Sequence, residues 1–257
     1  MRFALFATYL MLLACASADG QRQAAPMPDS GNAGSYQVGY RVLEIPYAGS
    51  IVTVALWYPT ASEARVTPYG QSPARGMLAV DAPVMKGPWP LLIHAHGFGG
   101  GGIIHAAQLE RYAANGYIVA APDHGDQVQT VRIREKAQGN AVDMFEHLKR
   151  NPFTVQAYSY RPKELAAVLD GLLASAPEHQ IDQERIALLG HSLGGWTATT
   201  VALADRRIKA LVLYSMGELS WLHKQQRFFE AETLKTIRIP TLFFYGEKER
   251  TANPLGA

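Results

Sequence analysis

The sequence predicts an α/β fold in which a mostly parallel central sheet is covered by helices on both faces. Largely apolar runs of strand length, such as residues 91–95 with one histidine and residues 208–214 with one lysine, indicate strands that are buried on both sides. These runs alternate with helical segments, and such alternation is typical of parallel sheets. One run, residues 185–189, leads through Gly190-His191-Ser192-Leu193-Gly194 directly into an apolar helix. With 257 residues, of which 48% are hydrophobic, the chain is long enough for one sizeable domain.

Residues 1–18 predict an export signal, because a short apolar run follows a single arginine and is shorter than the roughly 20 residues of a membrane-spanning helix. Ala16-Ser17-Ala18 fits ordinary signal cleavage, whereas Leu12-Leu13-Ala14-Cys15 resembles a bacterial lipobox, in which Cys15 would carry lipid. Residues 19–35 are small and polar and predict a flexible tether. We therefore expect an exported protein, periplasmic, secreted or anchored at the cell envelope through a lipid on Cys15.

Residues 36–257 are predicted to form the folded domain. It begins with two strands, at residues 36–45 and 51–58, around a turn at residues 48–50, and this pair is expected to form the antiparallel edge of the sheet. Residues 60–90 are rich in Pro, Gly, Ala and Ser without periodicity and predict a surface loop.

The later elements follow from the same patterns. Strands are predicted at residues 91–95, 117–121, 185–189, 208–214 and 239–245, and helices at 103–114, around 141–149, from 161 onward and after 192. Residues 218–234 predict an amphipathic helix or a lid. The long polar segment at residues 127–160 is expected to wall the substrate site, since loops of that length are frequently functional.

Ser192 is the candidate nucleophile. A serine between a strand and a helix, with glycine two residues before and two after, sits on a sharp strained turn that exposes its hydroxyl. The N-terminus of the following helix offers unpaired N–H groups and a positive dipole to developing negative charge. The alternative is a glycine-rich turn with an idle serine.

The glycine-rich loop His96-Gly97-Phe98-Gly99-Gly100 follows the 91–95 strand. A phosphate cradle is disfavoured, because neither G-x-G-x-x-G with a distal acid nor Lys-Ser/Thr is present. The loop can instead present the backbone N–H of Phe98 to Ser192, with the N–H of Leu193 as the second donor of an oxyanion hole.

No metal, cofactor or nucleic-acid partner is predicted. The net charge of +2 is scattered without a basic cluster that interleaves with aromatic residues, and no Cys/His group has zinc spacing. Cys15 is the single cysteine, so an intramolecular disulfide is excluded. Asp123, His124 and Asp126 follow a strand and could be mistaken for metal ligands, but such residues more often satisfy loop backbone.

Four motifs in this order carry a family resemblance: His96-Gly97-Phe98-Gly99-Gly100, Ala121-Pro122-Asp123-His124, Arg161-Pro162-Lys163 ahead of Leu169-Asp170, and Gly190-His191-Ser192-Leu193-Gly194-Gly195. Over residues 36–249 the chain resembles the α/β-hydrolases, and more narrowly the dienelactone-hydrolase-like bacterial esterases akin to platelet-activating-factor acetylhydrolase. The resemblance implies that Ser192 is the nucleophile, that Phe98 and Leu193 form the oxyanion hole, and that no cofactor is needed.

The resemblance also implies a triad acid after the 239–245 strand, in a Gly-x-x-Asp turn. This chain has Gly246-Glu247-Lys248-Glu249 there, which makes Glu249 the candidate acid, with Glu218 as the alternative. The family places its histidine later still, after one more strand. His223 is the one histidine after Ser192, and it lies in the predicted lid segment. We therefore expect the chain to be C-terminally incomplete, without the last strand and helix, and inactive or impaired as written.

The predicted function is a serine carboxylic-ester hydrolase that acts through an acyl-enzyme on a small or lipid-like ester. Phe98, Trp196 and Trp221 would suit an apolar acyl or alkyl group, although they serve equally well as core filler. Two alternatives stay open. One is a non-catalytic remnant or binding protein on the same scaffold, and the other is a peptidase or thioesterase.

Overall fold

The computed structural model describes residues 36–134, 141–150, 154–175, 180–216 and 235–246. The predicted export signal with Cys15, the tether, the lid segment with Glu218, Trp221 and His223, and the candidate acid Glu249 lie outside the described residues. The predictions made for them therefore stay predictions.

Nine described strands form one sheet in the order β3-β4-β1-β2-β6-β5-β7-β8-β9. The strands are β1 (Gln37–Tyr47), β2 (Ser50–Thr60), β3 (Arg65–Pro68), β4 (Arg75–Val80), β5 (Trp89–Ala95), β6 (Ile118–Pro122), β7 (Ile181–His191), β8 (Ile208–Tyr214) and β9 (Thr241–Phe244). The described helices are α1 (Ala106–Ala114), α2 (Ala141–Arg150), α3 (Tyr160–Ala174) and α4 (Leu193–Ala204). Strands β6, β5, β7, β8 and β9 pair in parallel, which confirms the mostly parallel sheet.

The hairpin of β1 and β2 forms as predicted, but it is not the edge of the sheet. Its turn contains Ala48 and Gly49, whose φ angles of 49° and 76° lie in the left-handed region. Strand β4 pairs in parallel with β1, with Gly39 opposite Ala79, and β3 pairs with β4 outside it. The edge prediction is therefore wrong, because two further strands lie beyond β1.

The same two strands overturn the surface-loop prediction for residues 60–90. Strand β3 is mostly exposed, and β4 has three buried and three exposed residues, so these short strands leave no clear periodic apolar pattern. They are anchored by tertiary contacts instead. Tyr69, just after β3, is fully buried, accepts a hydrogen bond from Trp57 Nε1 at 2.7 Å, and packs edge-on against Tyr40 at 5.1 Å between ring centroids. Non-local packing of this kind is invisible to periodicity.

Helices cover both faces of the sheet, as predicted. On one face, α3 and α4 bury Leu165, Val168 and Val201 against alternate residues of β2, β5 and β7. On the other face, α1 buries Leu109 and Ala113 against the opposite residues of the same sheet. The apolar stripe predicted for α3 is confirmed as core, since Leu165, Val168, Leu169 and Leu172 are fully buried.

Two helix boundaries bear on the site. Helix α1 begins three residues later than predicted and is capped by Asn115, which Gly116 follows with a φ of 88°. Helix α4 begins immediately after Ser192. Among the described helices, none is both long and apolar enough to cross a membrane.

Candidate active site

Ser192 occupies a strained turn at the carboxyl end of β7. Its φ of 52° and ψ of −119° are rare for a residue with a Cβ, and such conformations cost on the order of 1–3 kcal/mol. The surroundings hold it there: the Ser192 N–H donates to the Tyr214 carbonyl of β8 at 2.9 Å, and the Ser192 carbonyl accepts from the Gly195 N–H at 2.8 Å. Ser192 is half-buried at the N-terminus of α4.

The two glycines that flank this turn are required by close backbone approach. A Cβ on Gly190 would lie 2.5 Å from the carbonyl oxygen of Gly194. A Cβ on Gly194 would lie 2.0 Å from the carbonyl oxygen of Ala95, at the end of β5. Only glycine, whose side chain is a hydrogen atom, fits at these two positions. Steric contact with the backbone therefore explains the two glycines of the Gly-x-Ser-x-Gly motif, as the sequence predicted.

The glycine-rich loop after β5 lies against the Ser192 turn. A Cβ on Gly97 would be 3.3 Å from the Cβ of Ser192 and 2.8 Å from His191 Nδ1. The Phe98 ring, which follows Gly97, packs with Leu193 and Trp196. The structure therefore brings together Ser192, Leu193 and Phe98, the three residues that the sequence singled out.

Aromatic rings line the loop on the side of the 127–160 segment. Tyr158 meets Phe98 edge-on at 5.9 Å between ring centroids, and His147 of α2 stacks on Phe98 at 5.8 Å. Met144 of α2 also reaches the loop at Gly99. Trp196 is 4% exposed and serves as core, whereas Phe98 is half-buried.

Beneath the loop lies a buried ion pair that the sequence analysis did not single out. Arg161 of α3 is fully buried and pairs with Asp126, donating from Nε to Oδ1 at 2.9 Å and from Nη2 to Oδ2. Burial alone would raise the pKa of Asp126, but the guanidinium outweighs it and holds that pKa well below its usual range. Arg161 also donates to the carbonyl of His96 at 2.8 Å and to that of Gly97 at 3.3 Å.

A signal for this pair was present in the sequence. Arg161 lies four residues before Leu165, on the apolar stripe of α3, and a charge on a buried stripe requires a buried partner. The partner itself, Asp126, lies 35 residues earlier in the chain.

The acidic and histidine residues after β6 satisfy backbone and side-chain groups nearby. Asp123 accepts hydrogen bonds from the N–H groups of Gly102 at 2.7 Å and Ile133 at 2.9 Å. His124 Nδ1 lies 3.0 Å from Glu164 Oε2. Burial lowers the pKa of His124 to about 3 and raises the pKa of Glu164 to about 7, so His124 is neutral at pH 7.

A second group of histidines lies beside the Ser192 turn. His94 Nε2 is 3.2 Å from His105 Nδ1, and the His105 ring meets the His191 ring edge-on at 4.9 Å. Burial lowers the pKa of all three, that of His105 to about 4, so these rings are neutral at pH 7. In the described part of the chain, no group of three or more His, Cys, Asp or Glu side chains is arranged to hold a metal ion.

A family model described as "Alpha/beta hydrolase family" matches residues 91–254, which include the glycine-rich loop and the Ser192 turn. The chain belongs to the alpha/beta hydrolase family.

The similarity to curated relatives covers part of this chain and part of each relative. A platelet-activating factor acetylhydrolase of Bos taurus is 25% identical over 193 residues, which are 65% of this chain and 41% of the relative. The cutinase est2 of Thermobifida alba is 28% identical over 165 residues, 62% of this chain and 49% of the relative. The chain therefore spans about half the length of the curated relatives it matches.

A solved structure of similar fold is a ferulic acid esterase from Streptomyces cinnamoneus. It has a TM-score of 0.61 at 24% identity, and the alignment covers 86% of the present chain and 74% of the esterase chain. At this identity the likeness establishes the fold, which agrees with the family match.

Proposed function

We propose that this hydrolase cleaves carboxylic esters through an acyl-enzyme on Ser192. The observation that carries the proposal is the strained Ser192 turn, which joins β7 to the N-terminus of α4 beside the Phe98 loop. The names of the relatives support the ester class, since they include an acetylhydrolase, cutinases and a ferulic acid esterase.

The proposed reaction has two halves. Ser192 Oγ attacks the ester carbonyl and loses its proton to a base, and the oxyanion accepts hydrogen bonds from the N–H groups of Phe98 and Leu193. The alcohol leaves with a proton and the acyl group stays on Ser192. Water then attacks the acyl-enzyme, releasing the carboxylic acid and restoring the serine hydroxyl.

The base and acid complete the proposal. Serine is a poor nucleophile without a general base, and histidine with a carboxylate partner is the usual solution. Glu249 is the proposed acid with Glu218 as its alternative. His223, the one histidine that follows Ser192 in this sequence, belongs to the predicted lid segment and is not proposed as the base. All three lie outside the described residues. The expectation that turnover is impaired in the chain as written stays a prediction, which a measured kcat on this 257-residue chain tests.

The substrate is proposed to be a small or lipid-like ester. The half-buried Phe98 ring, with Tyr158 and His147 against it, supports an apolar acyl or alkyl group at the site. Export, with or without a lipid on Cys15, is the proposed localisation.

A fluorophosphonate probe with a peptide-mapping readout tests the proposal. We expect labelling of Ser192 that is slowed by the impaired base but measurable, that is lost in Ser192→Ala, and that is kept in Ser62→Ala, a control serine just after β2. Folded protein without labelling would favour the non-catalytic binding protein instead. A panel of p-nitrophenyl esters, matched thioesters and amides separates the ester hydrolase from the thioesterase and peptidase alternatives.

A further inference from the structure

Three donors converge on the carbonyl oxygen of Gly97. The Gly100 N–H lies 3.2 Å from it, Arg161 Nη2 3.3 Å, and His96 Nδ1 2.7 Å. The backbone N–H of His124 donates to His96 Nε2 at 3.3 Å, so Nε2 is the bare nitrogen and Nδ1 carries the hydrogen of this neutral ring. Arg161 Nη2 also lies 3.3 Å from His96 Nδ1, but two donors cannot share a hydrogen bond, so Nη2 donates to the Gly97 carbonyl. The direction of the Gly97 carbonyl is thus fixed from three sides.

Fixing this carbonyl also fixes the N–H of Phe98. The two groups belong to one planar peptide unit, and in a trans peptide the C=O and the N–H point in opposite directions. The bond is trans, since the one cis peptide of the described residues is Gly87-Pro88. With its carbonyl held toward Arg161, the unit must direct the Phe98 N–H away from Arg161. Ser192 adjoins this unit at the Cα of Gly97.

The guanidinium is itself held rigidly. Asp126 accepts hydrogen bonds from Nε and Nη2 of Arg161. Nη1 donates to the His96 carbonyl at 2.8 Å and Nη2 to the Gly97 carbonyl at 3.3 Å, so the planar guanidinium links a carboxylate to two consecutive carbonyls. Both ion-pair side chains are fully buried. A lysine ammonium has neither the planar shape nor the reach to replace all these bonds.

We propose that Arg161, held by Asp126, is a positioning residue that orients the Gly97–Phe98 peptide and so aims the Phe98 N–H into the oxyanion hole. The proposal rests on the proposed function of Ser192. If Arg161 positions this peptide, the rate of Ser192 acylation depends on a buried ion pair that lies far from Ser192 in the sequence.

The test uses the double variant Arg161→Met/Asp126→Asn in the full chain. Removing both charges avoids an unpaired buried ion, and the introduced asparagine still offers an oxygen to the Tyr160 hydroxyl, which lies 2.6 Å from Asp126 Oδ1 in the unmodified chain. The matched control is Arg207→Met, which removes an arginine paired with Asp205 and Asp170 at the surface. Thermal unfolding verifies that each variant is folded.

The first readout is the rate of Ser192 labelling by a fluorophosphonate, whose P=O oxygen occupies the oxyanion hole. We expect the double variant to label about 10²-fold more slowly than the unmodified chain, since losing one oxyanion donor typically costs about 10²–10³ in rate. Arg207→Met should label normally. Equal labelling of the folded double variant would overturn the proposal. A chain whose Ser192 never labels would instead overturn the proposed function, and this inference with it.

The second readout separates positioning from general loosening of the fold. A thionoester has sulfur, a weak hydrogen-bond acceptor, in place of the carbonyl oxygen. We expect the ester-to-thionoester ratio of Ser192 acylation rates, followed by mass spectrometry, to fall roughly 10-fold or more in the variant, since the lost donor acts on the oxygen substrate. An unchanged ratio, with both rates lowered together, contradicts the proposal. If the double variant does not fold, the labelling rate and the ester-to-thionoester ratio are measured on Arg161→Lys instead, with the same expected results and the same results overturning the proposal.

Discussion

Gly194 of α4 touches the carbonyl of Ala95 so closely that a Cβ on the glycine would lie 2.0 Å from that oxygen. Ala95 ends β5, the strand that leads into the Phe98 loop, and Gly194 lies two residues after Ser192. One backbone contact therefore sets the distance between the two halves of the candidate oxyanion hole.

Gly194→Ala tests this contact. Because the clash is with backbone, the helix must move away from β5, and we expect the free energy of unfolding to fall by about 3 kcal/mol, at the upper end of overpacking costs. Ser192 labelling should be lost as well. The control is Gly171→Ala in α3, where the added methyl meets an Ile45 side chain, which is freer to shift, and gains helix propensity. Equal urea midpoints for the two variants would contradict the prediction.

The strain at Ser192 predicts an unusual ranking of two inactive variants. Glycine tolerates a φ of 52° whereas alanine does not, so Ser192→Gly should be more stable than Ser192→Ala by about 1 kcal/mol. At an ordinary helical position the order reverses. Ala167→Gly in the middle of α3, where the alanine is half-buried, should cost about 1 kcal/mol. Urea unfolding of the three variants checks the prediction, and a Ser192→Gly protein less stable than Ser192→Ala would refute it.

Local patterns were sufficient for the parallel strands and for the Ser192 turn. Strand β8 spans residues 208–214 as predicted, because its run is apolar except for Lys209 and pairs with a parallel strand on each side. The Ser192 turn was predictable because the strand, the two glycines and the helix are adjacent in sequence.

Features that depend on distant partners could not be predicted in this way. Strand β4 pairs with β1, which lies far earlier in the chain, and its six residues are too few for a periodic pattern to stand out in the sequence. The role of Arg161 likewise depends on Asp126 and on carbonyls 64 and 65 residues before it. The periodicity of apolar residues indicates which side of a helix or strand is buried. The partner of a buried charge can be identified only from the tertiary structure.

Buried neutral histidines predict acid sensitivity. Burial lowers the pKa of His94, His96, His105, His124 and His191 below the usual 6.5, so the unfolded chain binds protons in a range where the folded chain does not. The free energy of unfolding should therefore be unaffected by these groups above about pH 7 and should fall as the pH drops from about 6.5 toward 4. Urea unfolding across this range measures the slope. His105→Gln should reduce this slope, and an unchanged slope in that variant would contradict the lowered pKa of His105.

Glu164 predicts a pH dependence of the opposite sign. Burial raises its pKa from 4.5 to about 7, so the unfolded chain releases this proton at lower pH than the folded chain does. Glu164 therefore favours folding most below about pH 4.5, and this contribution is lost as the pH rises through 7. Glutamine cannot ionise and still offers one oxygen to the Gly125 N–H, which lies 3.2 Å from the carboxylate.

The measurement is the difference in the free energy of unfolding between Glu164→Gln and the unmodified chain, at about pH 5 and about pH 8. We expect the variant to gain about 1–3 kcal/mol in relative stability between these two pH values, since each pKa unit corresponds to about 1.4 kcal/mol. Glu63→Gln, at an exposed glutamate, should show no such gain. Because the histidines are common to both proteins, their acid sensitivity cancels in this difference. A difference that does not change with pH would mean that the Glu164 carboxylate is as well solvated in the folded chain as in the unfolded one.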